Sequence, residues 1–283
     1  MYDVAIIGSG PAGISAALNL KILGKNFIWL SSGAVSKKVE RAELIKNYPG
    51  LPDVTGAQLA WTFRNHFEGM NIKLNEEVIT GVYDTDGHFT LLAGEKQYEA
   101  KSVILCTGVE ASKPIEGEEQ FVGRGISYCA TCDGMLYKDK TIAVLCTDKK
   151  FEHEVEYLAE LSKTCYVMPM YRGYEIKSPK AQIILKNPVR FSGGMRLNKV
   201  GFKDGSTEVD GVFILKGSFS PSTLVHGLQT ENGHIVVGRD LSTNIAGVFA
   251  AGDCTGRPYQ YAKSVGEGNV AAHSAVEYLA KLK

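Results

Sequence analysis

No stretch of the 283-residue chain approaches the roughly 18 consecutive apolar residues that a membrane-spanning helix needs, so no transmembrane segment is expected. Net charge is missing too. The 31 Lys and Arg are matched by 31 Asp and Glu, which argues against a general nucleic-acid or membrane-surface binder, because both depend on excess positive charge. The chain opens Met1-Tyr2-Asp3-Val4-Ala5-Ile6-Ile7-Gly8. It has no basic segment ahead of its apolar run and reads as a strand entering a turn, not as a secretory leader. The expected compartment is therefore the cytoplasm, where six cysteines do not form a disulfide scaffold. A lone Cys-x-x-Cys, with neither a second such pair nor a His-x-x-x-His, leaves a four-ligand structural zinc site incomplete. No metal is expected.

With 44% hydrophobic and 22% charged residues the chain has the composition of a folded globular protein, and its patterning is of the α/β type. The apolar run 3–7 is followed by a glycine-rich loop, a helical pattern over 14–23 and a strand over 26–30, which together make a βαβ unit. Further strands are expected at 72–74, 88–92 and 102–105. A second βαβ pattern starts with a strand at 141–145, continues with a helix near 151–162 and returns at 165–168. The run 247–253 reads as a buried strand ending in a turn, and 265–282 as a closing helix. Two βαβ starts in one chain suggest two related domains, with the second inserted into the first. The expected division is 1–112 and 244–283 for the first domain and 113–243 for the second.

Gly8-Ser9-Gly10-Pro11-Ala12-Gly13 carries the first chemistry. In such a loop the first glycine permits the tight turn and the second lets backbone approach a pyrophosphate. The third packs helix on strand, and the helix N-terminus offers N–H donors to the phosphates. The acidic residue usual at the end of the second strand is missing, since Leu30 is followed by Ser31-Ser32-Gly33. Ribose contacts then fall to hydroxyl or backbone groups there, which weakens an NAD reading of this domain more than an FAD reading.

Tyr128-Cys129-Ala130-Thr131-Cys132-Asp133-Gly134 carries the second. Two cysteines at this spacing can close a small disulfide ring, and a helix N-terminus stabilises the thiolate. Asp133 beside them can act as a general acid or base if burial raises its pKa. Cys106, Cys146, Cys165 and Cys254 are isolated, mostly on apolar strands, and read as buried inert thiols.

Taken together these segments resemble the low-molecular-weight thioredoxin reductases. The resemblance runs over most of the chain: Gly8 to Gly13, Asn47-Tyr48-Pro49-Gly50, Thr107-Gly108, and Gly123-Arg124-Gly125 leading to Cys129–Asp133. It continues through Gly247-Val248-Phe249-Ala250-Ala251-Gly252-Asp253 and Gln260 to Gly268. It implies a two-domain flavin disulfide reductase fold, a discontinuous Rossmann-like FAD domain with an inserted second Rossmann-like domain carrying the Cys-x-x-Cys. By the same resemblance Gly8, Ser9, Gly10, Pro11, Ala12 and Gly13 hold the pyrophosphate. Thr107, Gly108 and Gly252 line the cofactor, Asp253 meets a ribityl hydroxyl, and Asn47 and Gln260 lie at the edges of the isoalloxazine. Ser31 and Ser32 complete the FAD-binding set, and Tyr261 either stacks on the flavin or packs in the core. Cys132 is implied as the thiol next to the flavin, Cys129 as the attacker of the thioredoxin disulfide, and Asp133 as the proton handler. A homodimer is implied as well. Ser36-Lys37-Lys38-Val39 stands where the family carries Gly-Gly-Gln-Leu.

The inserted domain departs further. Where the family binds NADPH through a second glycine loop, this chain reads Leu145-Cys146-Thr147-Asp148-Lys149-Lys150-Phe151. The basic run that grips the 2′-phosphate is replaced by Pro169-Met170-Tyr171 followed by Arg172-Gly173-Tyr174-Glu175. Residues 163–203 hold nine basic residues against one acidic, a patch that would steer a small acidic electron carrier. These departures make the chain resemble the ferredoxin-dependent flavin thioredoxin reductases more than the NADPH enzymes. The expected function is FAD-dependent reduction of thioredoxin through Cys129 and Cys132, with electrons from ferredoxin. The alternatives are an NADPH-dependent reductase with an atypical nucleotide site, a related NADPH-independent flavin disulfide oxidoreductase of unassigned donor, and a flavoprotein redox sensor.

Overall fold

The computed structural model describes the chain except residues 34, 36, 41, 110–113, 129, 217–220 and 283, and describes residues 37, 38 and 132 without their side chains. Its contacts divide it into two units, Met1–Glu110 with Ser220–Lys283, and Ala111–Phe219.

The first unit begins with β1 (Tyr2–Ile7), α1 (Pro11–Ile22) and β2 (Phe27–Ser31), the βαβ unit the apolar pattern predicts. It continues with α2 (Lys37–Glu40), α3 (Gly56–Gly69), β3 (Leu74–Glu76), β4 (Gly81–Thr85), β5 (His88–Ala93) and β6 (Lys96–Leu105). β3, β2, β1 and β6 pair in parallel, while β5 and β4 extend the sheet antiparallel. The core strand β1 is buried over Val4–Ile7, as expected where helices cover a parallel sheet. The sequence reading assigns no helix to 56–69, although the signal is present. Thr55 and Gln58 form a reciprocal capping box, and Leu59, Ala60, Phe63 and Phe67 make one buried face.

The second unit contains α4 (Glu118–Phe121), β7 (Ile126–Ser127), α5 (Ala130–Asp133), β8 (Thr141–Cys146), α6 (Glu152–Leu161), β9 (Thr164–Pro169) and β10 (Ala181–Ile183). The antiparallel strands β11 (Arg190–Gly193), β12 (Leu197–Phe202) and β13 (Gly205–Glu208) follow, then β14 (Gly211–Leu215). Its main sheet has the order β10-β9-β8-β14-β7 and is parallel throughout.

The chain then returns through α7 (Pro221–Leu224), β15 (Thr230–Glu231), β16 (His234–Ile235), β17 (Val248–Ala250) and α8 (Tyr261–Lys281). β17 pairs with β6 and restores the first sheet. The expected first boundary, at 112/113, lies outside the described residues. The expected return at 243/244 comes later than the observed one at Phe219/Ser220. The reason is that α7 and the residues after it pack on the first unit, as in the bridge between Val82 and Val225. No helix among the described residues is long and apolar enough to cross a membrane.

Candidate functional site: a glycine cradle, a Cys-x-x-Cys segment and a second strand-to-helix turn

The loop from β1 into α1 is built around two glycines. Gly8 has φ +115°, a conformation L-residues avoid. A Cβ on Gly13 would lie 2.0 Å from the Gly8 carbonyl oxygen, so only hydrogen fits. That oxygen accepts the indole N–H of the fully buried Trp29 at 2.8 Å, which fixes the loop to β2. Gly10 caps α1 without a side-chain hydrogen bond, Pro11 opens the helix, Ala12 is buried, and the first turn holds no acidic residue. A Cβ on Gly10 would meet nothing within 4 Å. The helix therefore presents donors and its positive dipole end to open space, an arrangement that suits a pyrophosphate.

Several of the sequence-predicted residues of this unit bond to one another or to their neighbours. Ser9 Oγ lies 2.9 Å from Ser31 Oγ and donates to the Gly33 carbonyl at 3.1 Å, whereas Ser32 is exposed. Asn47 Nδ2 donates to Gln260 Oε1 at 2.7 Å although the two are 213 residues apart. Asp253 Oδ1 accepts from Ser264 Oγ at 3.3 Å. Gly108 follows Thr107 in a left-handed conformation. Among the described residues Thr107 Oγ1 is buried with no hydrogen-bond partner of normal geometry, with the soft thiol of Cys254 nearby. An orphaned buried hydroxyl is unusual in a folded protein and marks a place where a further group belongs. Tyr261 opens α8 partly packed against the core, and burial together with the Asp253 charge raises its pKa. Cradle, open helix end and orphaned hydroxyl fit the FAD that the resemblance implies.

Lys263 and Glu267 form a network that the sequence reading leaves without a role. Lys263 Nζ donates to the carbonyls of Gly252 and Gly256 at 2.9 and 2.8 Å, and pairs with Glu267 at 3.2 Å. Glu267 Oε2 in turn accepts the Gly252 N–H at 2.8 Å. Together they lock the turn that carries Asp253. Their spacing of four on a helix is the signal that could have revealed them.

In the second unit α5 holds Ala130 to Asp133 of the Cys-x-x-Cys-Asp segment. Cys129 and the side chain of Cys132 lie outside the described residues, as does Ser36. Asp133 Oδ2 accepts the Ser127 hydroxyl at 2.6 Å. Met135 and Leu136, immediately after the motif, are 59% and 66% exposed. The four isolated cysteines are buried and free, as expected. Burial pushes the Cys165 thiol up to about 12 and Cys254 to about 11, with Cys106 well above and Cys146 above the ordinary range. Thiols so held stay protonated and unreactive at neutral pH.

The second βαβ unit has its strand and helix, with no glycine in the turn between them. Between β8 and α6 runs a short 3₁₀ turn, Lys149–Phe151, whose Asp148 cap accepts the Lys150 N–H at 3.1 Å. Phe151 is buried, and Glu152 and Glu154 occupy the first turn of α6. Glu152 Oε1 accepts the Tyr171 hydroxyl at 2.7 Å and the Glu175 N–H at 2.8 Å, and Glu156 accepts the N–H groups of Lys177 and Ser178. The carboxylates of Glu152 and Glu156 thus tie the segment 171–178 to α6. Of the basic residues in 163–203, Lys186 is paired with Asp204 and Arg190 with Glu116, while Arg172, Lys177, Arg196 and Lys203 are exposed.

Comparison with known proteins fits this geometry. The description "Pyridine nucleotide-disulphide oxidoreductase" matches residues 2–165 and 170–268. A thioredoxin reductase of Listeria innocua is 31% identical over 100% of this chain and 95% of its own. A crystal structure of a ferredoxin-flavin thioredoxin reductase from Clostridium acetobutylicum superposes with TM-score 0.89 at 44% identity, covering 99% of this chain and 98% of that one. An atypical thioredoxin reductase from Desulfovibrio vulgaris Hildenborough is 29% identical, covering 99% of both chains, with TM-score 0.72.

Proposed function

The chain belongs to the pyridine nucleotide-disulphide oxidoreductases and, within them, to the thioredoxin reductases, and from that premise we propose that it reduces thioredoxin with electrons taken from reduced ferredoxin rather than from NADPH. The observation that carries the reading is the contrast between its two βαβ units. One keeps an open, carboxylate-free helix N-terminus behind Gly8, Gly10 and Gly13. The other places Asp148, Glu152 and the buried Phe151 where a second dinucleotide would need N–H donors and space. Removing one charged contact costs about 1.5–3 kcal/mol. Loss of the loop and the arginines together then weakens nucleotide binding by orders of magnitude, at about 1.4 kcal/mol per tenfold. The 44% identity to a ferredoxin-flavin enzyme supports the same donor.

FAD, when bound, supplies the junction between one-electron delivery and two-electron disulfide chemistry. Gly8 to Gly13, Ser31, Thr107, Asp253 and the Asn47–Gln260 pair are the residues that would hold it. In the reduced enzyme Cys129 attacks the thioredoxin disulfide to form a mixed disulfide. Cys132 then displaces the reduced thioredoxin, leaving Cys129 joined to Cys132, while Asp133 carries the proton. Exposed Met135 and Leu136 beside the motif give a protein substrate an apolar footing. The exposed cations of 163–203 steer an acidic donor. The acting form is a cytoplasmic homodimer.

The test is anaerobic turnover. The protein should reduce thioredoxin when reduced ferredoxin is supplied and not with NADPH, and Cys129→Ser should lose turnover while retaining FAD. NADPH-driven turnover at a rate comparable to the ferredoxin-driven one would refute the donor assignment.

A further inference from the structure

One buried carboxylate in the second unit gathers donors from three separated segments. Glu118 is 3% exposed. Its Oε1 accepts the Tyr128 hydroxyl and the Lys216 ammonium, each at 2.8 Å, and its Oε2 accepts the Ile115 N–H at 3.0 Å. Lys216 Nζ also sits 5.3 Å from the centroid of the Tyr128 ring. The two charged side chains are 11% and 4% exposed. A pair so buried adds little stability over apolar residues of the same volume, because desolvation offsets the attraction. It does fix geometry, and what it fixes is next to the redox motif. Tyr128 is the residue immediately before Cys129 in the sequence. On the far side of the motif, the Ser127 hydroxyl donates to Asp133. Ile115 lies just after the chain enters this unit at Ala111, and Lys216 just before it leaves at Phe219.

We propose that Glu118, with Lys216 as counter-charge, is a positioning residue of the exchange centre: through the Tyr128 hydroxyl it holds the backbone leading into the Cys-x-x-Cys segment and ties it to the Ile115 N–H and the Lys216 ammonium. The proposal rests on the reading of Cys129 and Cys132 as the redox pair. Other charged groups near the motif are Asp133 and, in the first turn of α6 beside Ala130, Glu154; both stay unchanged in the test.

The measurement is the rate at which iodoacetamide alkylates the two motif thiols in the reduced, flavin-loaded protein at pH 7, read by mass spectrometry. Lys216→Met leaves a carboxylate unopposed next to the motif and should slow alkylation about threefold. Glu118→Gln removes one negative charge from this cluster and should speed it by about the same factor, the order expected of one partly screened charge. The double variant should return towards wild type. Generic structural damage would move both single variants in the same direction. Tyr128→Phe, which removes one oxygen and no charge, provides a second reading: kcat for thioredoxin should fall about threefold with KM unchanged, a loss on the scale of one hydrogen bond. Single variants that shift alkylation the same way or not at all, or an unchanged kcat in Tyr128→Phe, would overturn the proposal. A wild-type protein in which Cys129 and Cys132 never form an intramolecular disulfide would end the redox-pair reading itself, and the proposal with it.

Discussion

Two glycines in one loop should respond in opposite ways to the same added methyl. In Gly13→Ala the new carbon would lie 2.0 Å from the Gly8 carbonyl oxygen and 3.3 Å from Trp29 Nε1. Relief to a normal contact of about 3.5 Å moves that oxygen by more than about an ångström, enough to break the 2.8 Å bond from the buried indole. Overpacking of this kind costs about 1–3 kcal/mol, and an orphaned buried donor about 1–3 kcal/mol more. The flavin-free protein should therefore melt about 4–24 °C lower, at roughly 2–4 °C per kcal/mol for a chain of this size. In Gly10→Ala the methyl meets nothing within 4 Å, and φ −74°, ψ 179° is ordinary for alanine. Exchanging Gly for Ala at an N-cap costs at most about 1 kcal/mol, so melting should barely move. Yet the methyl occupies the space in front of α1, and FAD affinity should fall at least about tenfold. Calorimetry on flavin-stripped protein and FAD rebinding followed by fluorescence separate the two. A Gly10→Ala protein that binds FAD like wild type, or a Gly13→Ala protein that melts like it, would refute the cradle.

Three further outcomes follow from other sites. The thiol of Cys165 is held at about 12 against an ordinary 9.0, so the folded state keeps a proton that the unfolded state releases above about pH 9. Stability should be unaffected below pH 9 and fall as pH rises towards 12, by up to about 1.4 kcal/mol per unit, and alkaline denaturation of Cys165→Ala should be less steep. Met135→Ser with Leu136→Ser should raise KM for thioredoxin several-fold while leaving flavin reduction by the donor unchanged, as stopped-flow absorbance would show. Lys216→Met strands a buried carboxylate and should lower unfolding stability by about 3–5 kcal/mol in urea titration, whereas the Glu118→Gln/Lys216→Met double variant should lose much less.

Much of the fold was legible because its signals are local. The β1–α1–β2 unit announces itself by an apolar run, three glycines at fixed offsets and a periodic helix, and the β8–α6–β9 unit by the same pattern without the glycines. α3 was equally legible through its Thr55–Gln58 box, but a helix with exposed Trp61 inside an otherwise amphipathic face is easily passed over. The return of the chain at Ser220 was not legible, since α7 is one short turn and what fixes it to the first unit is tertiary contact. The same holds for the sites. The glycine loop and the Cys-x-x-Cys are contiguous motifs, and Asn47 with Gln260 came through resemblance. The Glu118–Lys216 pair joins residues 98 apart with no periodicity between them, and the tie between α6 and the segment 171–178 depends on where Glu152 and Glu156 aim their oxygens.

The most direct test of where the electrons enter is anaerobic titration of the flavin-loaded protein while watching its visible absorbance. Excess NADPH should leave the flavin oxidised, and reduced ferredoxin added next should bleach it, completely only after about four one-electron equivalents per flavin, two for the disulfide and two for the flavin. Bleaching by stoichiometric NADPH would contradict the account.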